Sequence, residues 1–315
     1  MADPKVSILT TVYNGQRFVE ETVRSVMAQT MGDFEYILVD DGSTDATPAI
    51  LARLAAEDAR LRIVTQANAG IARAANAGLA HCSAPILART DADDLMHPRR
   101  LEIQLDRLLG GDAVALGTFV DYMDEHGRHL TTIASPTEHE AIQEKLLDGH
   151  CAIWNTSSMM RREAVDTVGG YDPDCDTAED LDMWLKLSEI GRVGNIPLAL
   201  QRYRLHATSV SETRREWQRS RCRLACERAY QRRGLDRTYV EPGNWRAGSD
   251  ASSRHAFALQ YGWWAFNSGE RATAMHYAGQ AVRLRPTQPA GWKLLAVAGL
   301  KAPPRRRPYE VTDHA

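Results

Sequence analysis

The stretch FEYILVDDGSTDATPAILARLAA at residues 34–56 decides the fold of the chain. Its apolar run at residues 36–39 predicts a buried β-strand, and the acidic turn at residues 40–43 ends that strand. Thr44 or Asp45 can cap the helix that follows, whose apolar residues recur at helical spacing. The stretch is therefore a strand–turn–helix unit with two acids at the carboxyl end of its strand.

The same unit recurs on both sides of this stretch. Short apolar runs at residues 6–9, 61–64 and 86–88 predict three further strands, and segments with helical spacing separate them. Strands that alternate with helices typically form a parallel sheet covered on both faces. The sequence therefore predicts an α/β fold with a Rossmann-like, mostly parallel sheet flanked by helices.

Polar side chains follow three of the predicted strands. They are Thr11, Tyr13 and Asn14 after the first strand, Asp40 and Asp41 after the second, and residues 91–94 after the last. In open α/β sheets, ligands bind outside the carboxyl ends of the strands. We therefore expect these three clusters to converge on one ligand-binding edge.

The acids Asp91 and Asp93, separated by one residue, can both reach a hard divalent cation. Mg²⁺ and Mn²⁺ prefer oxygen ligands and often bridge to substrate phosphates. The alternative is an exposed acidic loop that caps the next helix. His206 could complete such a metal shell with a neutral imidazole, although a structural role is more common for an isolated histidine.

Two further positions on this edge suit a nucleotide. Asp41 can accept hydrogen bonds from a base imide or a ribose hydroxyl, and its alternative is turn chemistry. Arg73 lies near a helix start after Gly70, and a helix N-terminus favours anions such as a diphosphate. Close helix packing through the small residues of that segment is the alternative there.

The second half of the chain carries one more acidic pair. Glu179 and Asp180 open a predicted amphipathic helix at residues 179–190, where acids are ordinary partners of the helix dipole. Residues 150–160 and 169–178 precede this pair along the chain, so we expect them to line the binding site beside it. Trp154 either stacks on a ligand there or belongs to the core.

Several other segments have a regular pattern. We predict strands at 114–120, 154–161 and 196–205, a hairpin near 124–127, and helices within 212–235 and 253–300. The predicted domains are a nucleotide-binding and catalytic domain at 1–211, an α-helical C-terminal region at 212–300 and a disordered basic tail at 301–315.

Charge divides the chain sharply. Residues 1–200 carry 17 Lys and Arg against 32 Asp and Glu, whereas residues 201–315 carry 21 against 9. The basic part could face phosphate groups, an anionic membrane surface or the acidic part itself. No nucleic-acid reading module is recognisable, so nucleic-acid binding is not expected.

The sequence also indicates in which cellular compartment the protein works. The five cysteines contain no C-x-x-C pair, which fits free thiols in a reducing compartment. Neither a signal peptide nor an apolar run long enough to span a bilayer is evident. We expect a cytoplasmic protein, with peripheral association on the inner face of the cytoplasmic membrane as an option.

The ordered set of motifs resembles the inverting family 2 glycosyltransferases of the GT-A fold. The matching stretches are VSILTTVYNG (6–15), FEYILVDDGSTD (34–45), NAGIARAANAG (68–78), TDADD (90–94), VGGYDP (168–173), AEDLDMWLKL (178–187) and YRLHATSVS (203–211). The resemblance implies a nucleotide-sugar donor, usually a UDP-sugar, and a divalent metal, Mn²⁺ or Mg²⁺. It covers about two-thirds of the chain and leaves the C-terminal residues unmatched.

The resemblance also implies a role for each matched residue. These roles are nucleoside contact for Thr11, Tyr13 and Asp41, approach to the diphosphate or base for Arg73, approach to the ribose and sugar for Asp91, metal binding for Asp93, the catalytic base for Asp180, and metal or diphosphate contact for His206. The implied product is a glycoside of a saccharide or lipid-linked acceptor, made in cell-surface polysaccharide or glycoconjugate synthesis. A non-catalytic nucleotide-sugar-binding or scaffold protein and a nucleotidyltransferase remain the alternatives.

Overall fold

The structure is a computed structural model that describes residues 3–206, 215–241 and 251–304. The strands of this part are β1 (Val6–Val12), β2 (Phe34–Asp40), β3 (Leu61–Thr65), β4 (Ile86–Arg89), β5 (Leu95–Met96), β6 (Ala113–Asp124), β7 (His129–Ile133), β8 (Met159–Arg161) and β9 (Arg192–Leu205). The helices of this part are α1 (Val19–Met27), α2 (Thr47–Glu57), α3 (Ile71–Leu79), α4 (Arg100–Leu109), α5 (His139–Leu147), α6 (Arg162–Thr167), α7 (Glu179–Ile190), α8 (Arg215–Arg233), α9 (Ala251–Asn267), α10 (Arg271–Leu284) and α11 (Pro289–Leu300).

The strands form one sheet in the order β3-β2-β1-β4-β8-β6-β9-β5, and β7 pairs with β6. Strands β3, β2, β1 and β4 are parallel, so the predicted α/β fold is confirmed there. Beyond β4, strand β8 pairs antiparallel with both β4 and β6. The carboxyl ends of β1, β2 and β4 therefore lie side by side, where the polar clusters are.

Alternating residues of the central strands feed two cores. Ile8 of β1 and Leu38 of β2 are fully buried with the apolar residues of α1. The next residue on β1, Leu9, is fully buried on the other face with Ile37 and the alanines of α3. Each such side chain contributes about 1.5–3 kcal/mol by leaving water. Both faces of the sheet are thus covered, which explains the continuous apolar runs in the sequence.

The strand predicted at residues 154–161 is wrong over its first half. Residues Asn155–Ser157 form a 3₁₀ turn, and only Met159–Arg161 form a strand. The Oγ of Ser158 donates to the carbonyl of Asn155 at 2.8 Å. Such local side-chain bonds compete with a strand ladder, so the polar segment turns instead.

The described residues fall into two compact units. Among the described residues, one unit takes in 3–120, 134–203 and 215–241, and the other 121–133, 204–206 and 251–304. Helix α8 thus belongs to the first unit with strands β1–β4, and α9, α10 and α11 belong to the second unit. The division at residue 211 stays a proposal about function, and residues 305–315 of the predicted tail lie outside the described part.

The helices of the second unit pack through small and aromatic side chains. Ala265 of α9, Ala274 of α10 and Ala298 of α11 are fully buried in one cluster. The Tyr277 hydroxyl of α10 donates to Asp124 at the end of β6 at 2.7 Å. No described helix is both long enough and apolar enough to cross a membrane.

Candidate active site

The turns after β1 and β2 are joined by hydrogen bonds. The amide of Asn14 donates to Ser43 Oγ, and the amide of Thr44 donates to Asn14 Oδ1, both at 2.8 Å. Asn14 has a φ of +54°, in the left-handed region that asparagine tolerates better than most residues. The first two predicted polar clusters therefore meet. Tyr13 is half exposed beside this junction, and Thr11 is partly buried.

The carboxylate of Asp41 organises the approach to α3. It accepts from Gln66 Nε2 at 2.7 Å, from the amide of Ala69 at 2.9 Å and from the amide of Gly70 at 3.0 Å. A carboxylate has about four acceptor positions, so one remains for a further donor. Both interpretations of Asp41 are thus compatible: it builds the turn and can still contact a nucleoside.

The N-terminus of α3 attracts an anion, and that anion is a side chain. Asp176 Oδ1 accepts from the amide of Ala72 at 3.0 Å. The predicted affinity of this helix end for negative charge is therefore real, but Asp176 uses it, from a position 104 residues further along the chain. Arg73 is exposed on the first turn of α3, and its diphosphate contact stays a prediction.

Asp91 follows β4 and is held by the 3₁₀ turn. Its amide donates to Thr156 Oγ1 at 3.2 Å, and Asn155 Nδ2 donates to its Oδ1 at 3.1 Å. Burial raises the pKa of Asp91 to about 6, opposed by Arg89 and reinforced by the negative charges of Asp93 and Asp180. The acids of the strand end and the acid of α7 are therefore close enough for their charges to influence one another.

Arg100 supports this turn from below, and sequence reasoning missed it. Its guanidinium is fully buried and donates to the carbonyls of Thr156, Arg89 and Ser158 and to the side chains of Gln104 and Gln201. Burial lowers the pKa of Arg100 to about 9, and the charge of Asp91 opposes that shift. The arginine pair at residues 99–100 resembles ordinary surface charge, so the sequence carried no signal.

Arg89 is a second buried cation that the sequence did not reveal. It is 1% exposed, and its Nε and Nη1 have no hydrogen-bond partner among the described residues. Its guanidinium carbon lies 5.5 Å from the ring centre of Tyr171. Arg89 lowers the pKa of Asp91, Glu179 and Asp180, so it partly offsets the concentration of negative charge.

The acidic pair opens α7 as predicted. Glu179 is 6% exposed, and its Oε2 has no hydrogen-bond partner among the described residues. Burial, with the charge of Asp180, raises the pKa of Glu179 to about 8. Burial also raises the pKa of Asp180, while the amide of Leu181 and the thiol of Cys151 favour its ionised form.

For the remaining predicted residues, Trp154 and His206, the structure gives a position but does not test the predicted role. Trp154 is half-buried, donates to Ser135 Oγ at 3.2 Å and lies with its ring centre 5.3 Å from that of Tyr203. His206 follows β9 and belongs to the second compact unit, so its metal role stays a prediction. Residues 207–211 of its motif lie outside the described part.

Another group in the described chain has ligand atoms close enough for a metal. Asp172, Cys175 and Asp182 bring their ligand atoms within 4.8 Å of one another. However, Asp182 pairs with Lys186 at 2.5 Å, and Asp172 pairs with Arg228 at 2.5 Å. These cations already balance the acids, so the cluster is a salt-bridge network.

The family of the chain follows from its sequence. A family model for glycosyl transferase family 2 matches residues 7–169. The chain belongs to this family. The family 2 match includes every strand-end acid of the predicted donor edge and ends before Asp180.

Curated relatives agree with the family. The chain is 34% identical over 209 residues to the putative glycosyltransferase EpsE of Bacillus subtilis (strain 168), covering 64% of this chain and 73% of that protein. It is 30% identical over 209 residues to the chondroitin synthase of Escherichia coli, covering 66% of this chain and 30% of that protein.

Solved structures of glycosyltransferases have the same fold. TarS 1-349 of S. aureus in complex with UDP-GlcNAc gives a TM-score of 0.59 at 15% identity, covering 94% of this chain and 87% of that one. The mannosyltransferase PcManGT from Pyrobaculum calidifontis in complex with GDP-Man and Mn²⁺ gives 0.55 at 19% identity, covering 95% and 81%. At these identities the likeness establishes the fold, which is of the GT-A type.

Proposed function

We propose that this family 2 glycosyltransferase moves a sugar, with inversion, from a UDP-sugar to a hydroxyl group of a saccharide or lipid-linked acceptor. One observation carries the proposal: one short segment touches both acids, because Asn155 Nδ2 donates to Asp91 Oδ1 at 3.1 Å and the Cys151 thiol lies 3.7 Å from Asp180 Oδ2. Asp91 and Asp180 are thus linked through residues 151–155, and the negative charge of Asp180 helps to raise the pKa of Asp91. A base opposite a phosphate-binding edge is the arrangement that an in-line displacement needs.

Asp180 is the proposed base. An acceptor hydroxyl is a poor nucleophile near neutral pH, and a carboxylate that takes its proton contributes roughly 10²–10⁴-fold to the rate. Because the pKa of Glu179 is raised to about 8, Glu179 stays protonated near neutral pH and adds no second negative charge beside Asp180. Asp180 can then ionise and accept the proton as the new glycosidic bond forms on the opposite face from the leaving diphosphate.

The donor set fits a divalent cation. Asp91 and Asp93 offer carboxylate oxygens, and the mutual repulsion that helps to raise the pKa of Asp91 is the kind that a bound cation relieves. Asp93, and His206 by resemblance, would hold Mn²⁺ or Mg²⁺. When bound, such an ion supplies Lewis-acid neutralisation of the departing diphosphate.

A donor panel tests the activity. The purified chain is incubated with UDP- and GDP-sugars, with Mn²⁺ or with a chelator, and nucleoside diphosphate release is measured. We expect release with a UDP-sugar that the chelator abolishes. Pyrophosphate as the product would favour a nucleotidyltransferase, and binding without any release would favour a scaffold.

Asp180→Asn tests the mechanism. We expect transfer to fall roughly 10²–10⁴-fold while calorimetric UDP affinity stays within about twofold of wild type. Unchanged transfer would remove Asp180 as the base. The exposed acid Asp166, changed to asparagine, is the matched control.

The acceptor class and the location are proposals as well. A relative named chondroitin synthase and one named for O-antigen biosynthesis favour a cell-surface glycan as the product. We propose in addition that the protein works on the cytoplasmic side of the membrane. Several arginines of α8 already pair with acids of the same unit: Arg219 with Glu241, Arg228 with Asp172, and Arg232 and Arg233 with Glu189. Membrane attraction would therefore rest on other basic residues, and sedimentation with anionic vesicles at low and high salt would detect it.

A further inference from the structure

The residue two positions before the base pair has an unusual backbone conformation. Thr177 has a φ of +76°, a region that β-branched residues rarely adopt. Among the described residues, Asn14 is the other non-glycine residue with positive φ. Thr177 is 4% exposed, and its Oγ1 has no hydrogen-bond partner among the described residues. Its own side chain therefore does not stabilise the conformation, so its neighbours must.

Two contacts hold the backbone on either side of this strained residue. Asp176 is bound to the N-terminus of α3 through the amide of Ala72. The carbonyl of Thr177 accepts from Gln218 Nε2 of α8 at 2.9 Å. The peptide that joins Thr177 to Ala178, the N-cap of α7, is thus held at its oxygen by the side chain of Gln218 and at its nitrogen by the carbonyl of Cys175, which accepts from the Ala178 amide at 2.8 Å.

Helix α8 is itself anchored along the same segment. Arg228 pairs with Asp172 at 2.5 Å and with Asp174 at 2.8 Å, and Arg221 donates to the carbonyl of Asp174 at 3.2 Å. The side chain of Gln218 is therefore presented from a helix that is fixed at several points.

We propose that Gln218 is a positioning residue for the base. It holds the Thr177 carbonyl and thereby keeps the left-handed turn from relaxing, which fixes the direction in which Asp180 leaves the first turn of α7. The inference rests on the proposed function, because it assigns α8 a part in the same transfer. A displacement of the base of about 1 Å can cost up to 10²-fold in rate, so the loss of a single hydrogen bond at this point can lower kcat strongly.

The first experiment compares two substitutions in α8: one removes a side-chain amide and the other removes a charge. For Gln218→Ala we expect kcat to fall about tenfold, with the donor KM and calorimetric UDP affinity within about twofold of wild type. Arg232→Gln removes a contact at the other end of α7 and should leave kcat within about twofold. Equal kcat values for Gln218→Ala and wild type would overturn the proposal, as would an equal loss in both variants.

A double-mutant cycle tests the strain. Glycine adopts positive φ readily, so Thr177→Gly removes the tendency of the turn to relax. In that background we expect Gln218→Ala to lower kcat less than threefold, compared with about tenfold in the wild-type background. Independent, multiplicative effects would show that Gln218 does not act through the Thr177 conformation and would overturn the proposal.

Hydrogen exchange separates this inference from the proposed function. In Gln218→Ala the amides of residues 177–181 should exchange at least tenfold faster than in wild type, and in Arg232→Gln they should not. Wild-type protein without transfer on any donor would sink the proposed function, and the exchange rates would still decide whether Gln218 fixes this turn. Unchanged exchange would overturn the positioning role whether or not transfer occurs.

Discussion

The donor edge and the base turn are held in different ways. At the donor edge, Asp41 binds the amides of Ala69 and Gly70, so turns of neighbouring strands stabilise one another. The base turn at residues 176–178 is held by the amide of Ala72 through Asp176 and also by Gln218 of α8, which lies beyond the residues that match the family model. In the proposed mechanism, donor binding therefore rests on the sheet that the family shares, whereas the placement of the proposed base also depends on a helix outside the match.

The largest effect we expect is from the donor side of this comparison. Arg100→Met would remove the donor to the carbonyl of Thr156 and to the side-chain oxygens of Gln104 and Gln201, all of them buried. We expect the free energy of unfolding to fall by about 3–5 kcal/mol, measured by urea denaturation. Arg99→Met, at the partly exposed neighbouring position, should change it by less than about 1 kcal/mol. Equal losses would show that the buried network adds little.

On the base side, the buried acid Glu179 should make the free energy of unfolding depend on pH. The folded-state pKa of Glu179 is raised to about 8 from an ordinary value of 4.5, so the folded chain keeps a proton that the unfolded chain loses. This contribution to stability is fully present below about pH 4.5 and is lost progressively up to about pH 8. Glu179→Gln cannot ionise, and we expect its unfolding free energy to gain on wild type by about 1 kcal/mol per pH unit in that window.

The measurement is urea denaturation in chelator at a series of pH values. Glu163→Gln, a change of an exposed glutamate in the first turn of α6, should differ from wild type by a constant amount. A constant difference for Glu179→Gln as well would mean that Glu179 is ionised in the folded chain at neutral pH. The proposed protonated partner of Asp180 would then be lost.

The residues in these two tests also show which parts of the fold and the site could be predicted from the sequence. The acids at residues 40–41 and 91–94 end apolar runs, and the helix at 179–190 has a clear period, so local pattern placed each of them. Arg100 and Asp176 act across long stretches of chain and interrupt no period. Their hydrogen bonds depend on how the strands are ordered in space, which a single sequence does not encode locally.

The third test separates donor binding from catalysis. In Asp41→Asn the side-chain oxygen cannot accept from Gln66, Ala69 and Gly70 at once, so one of these partly buried hydrogen bonds is lost. We expect UDP affinity to fall by about 10- to 100-fold by calorimetry, with kcat at saturating donor within about threefold of wild type. Asp33→Asn, at an exposed position, is the control. A loss confined to kcat would contradict the division between the two regions.

The smallest expected effect comes from Gly70, where the two regions touch. Its amide binds Asp41, and its Cα faces Asp176, whose Oδ1 lies 2.9 Å from the position that a Cβ would take. Gly70 also has a φ of +93°, which alanine adopts only with strain. Gly70→Ala should therefore shift both loops at once, lowering UDP affinity and kcat by roughly threefold to tenfold each. Gly32→Ala, where a Cβ meets nothing within 4 Å, should change neither. If only one of the two quantities fell, the loops would be independent, and the contact between Asp176 and α3 would not transmit the position of the donor edge to the base.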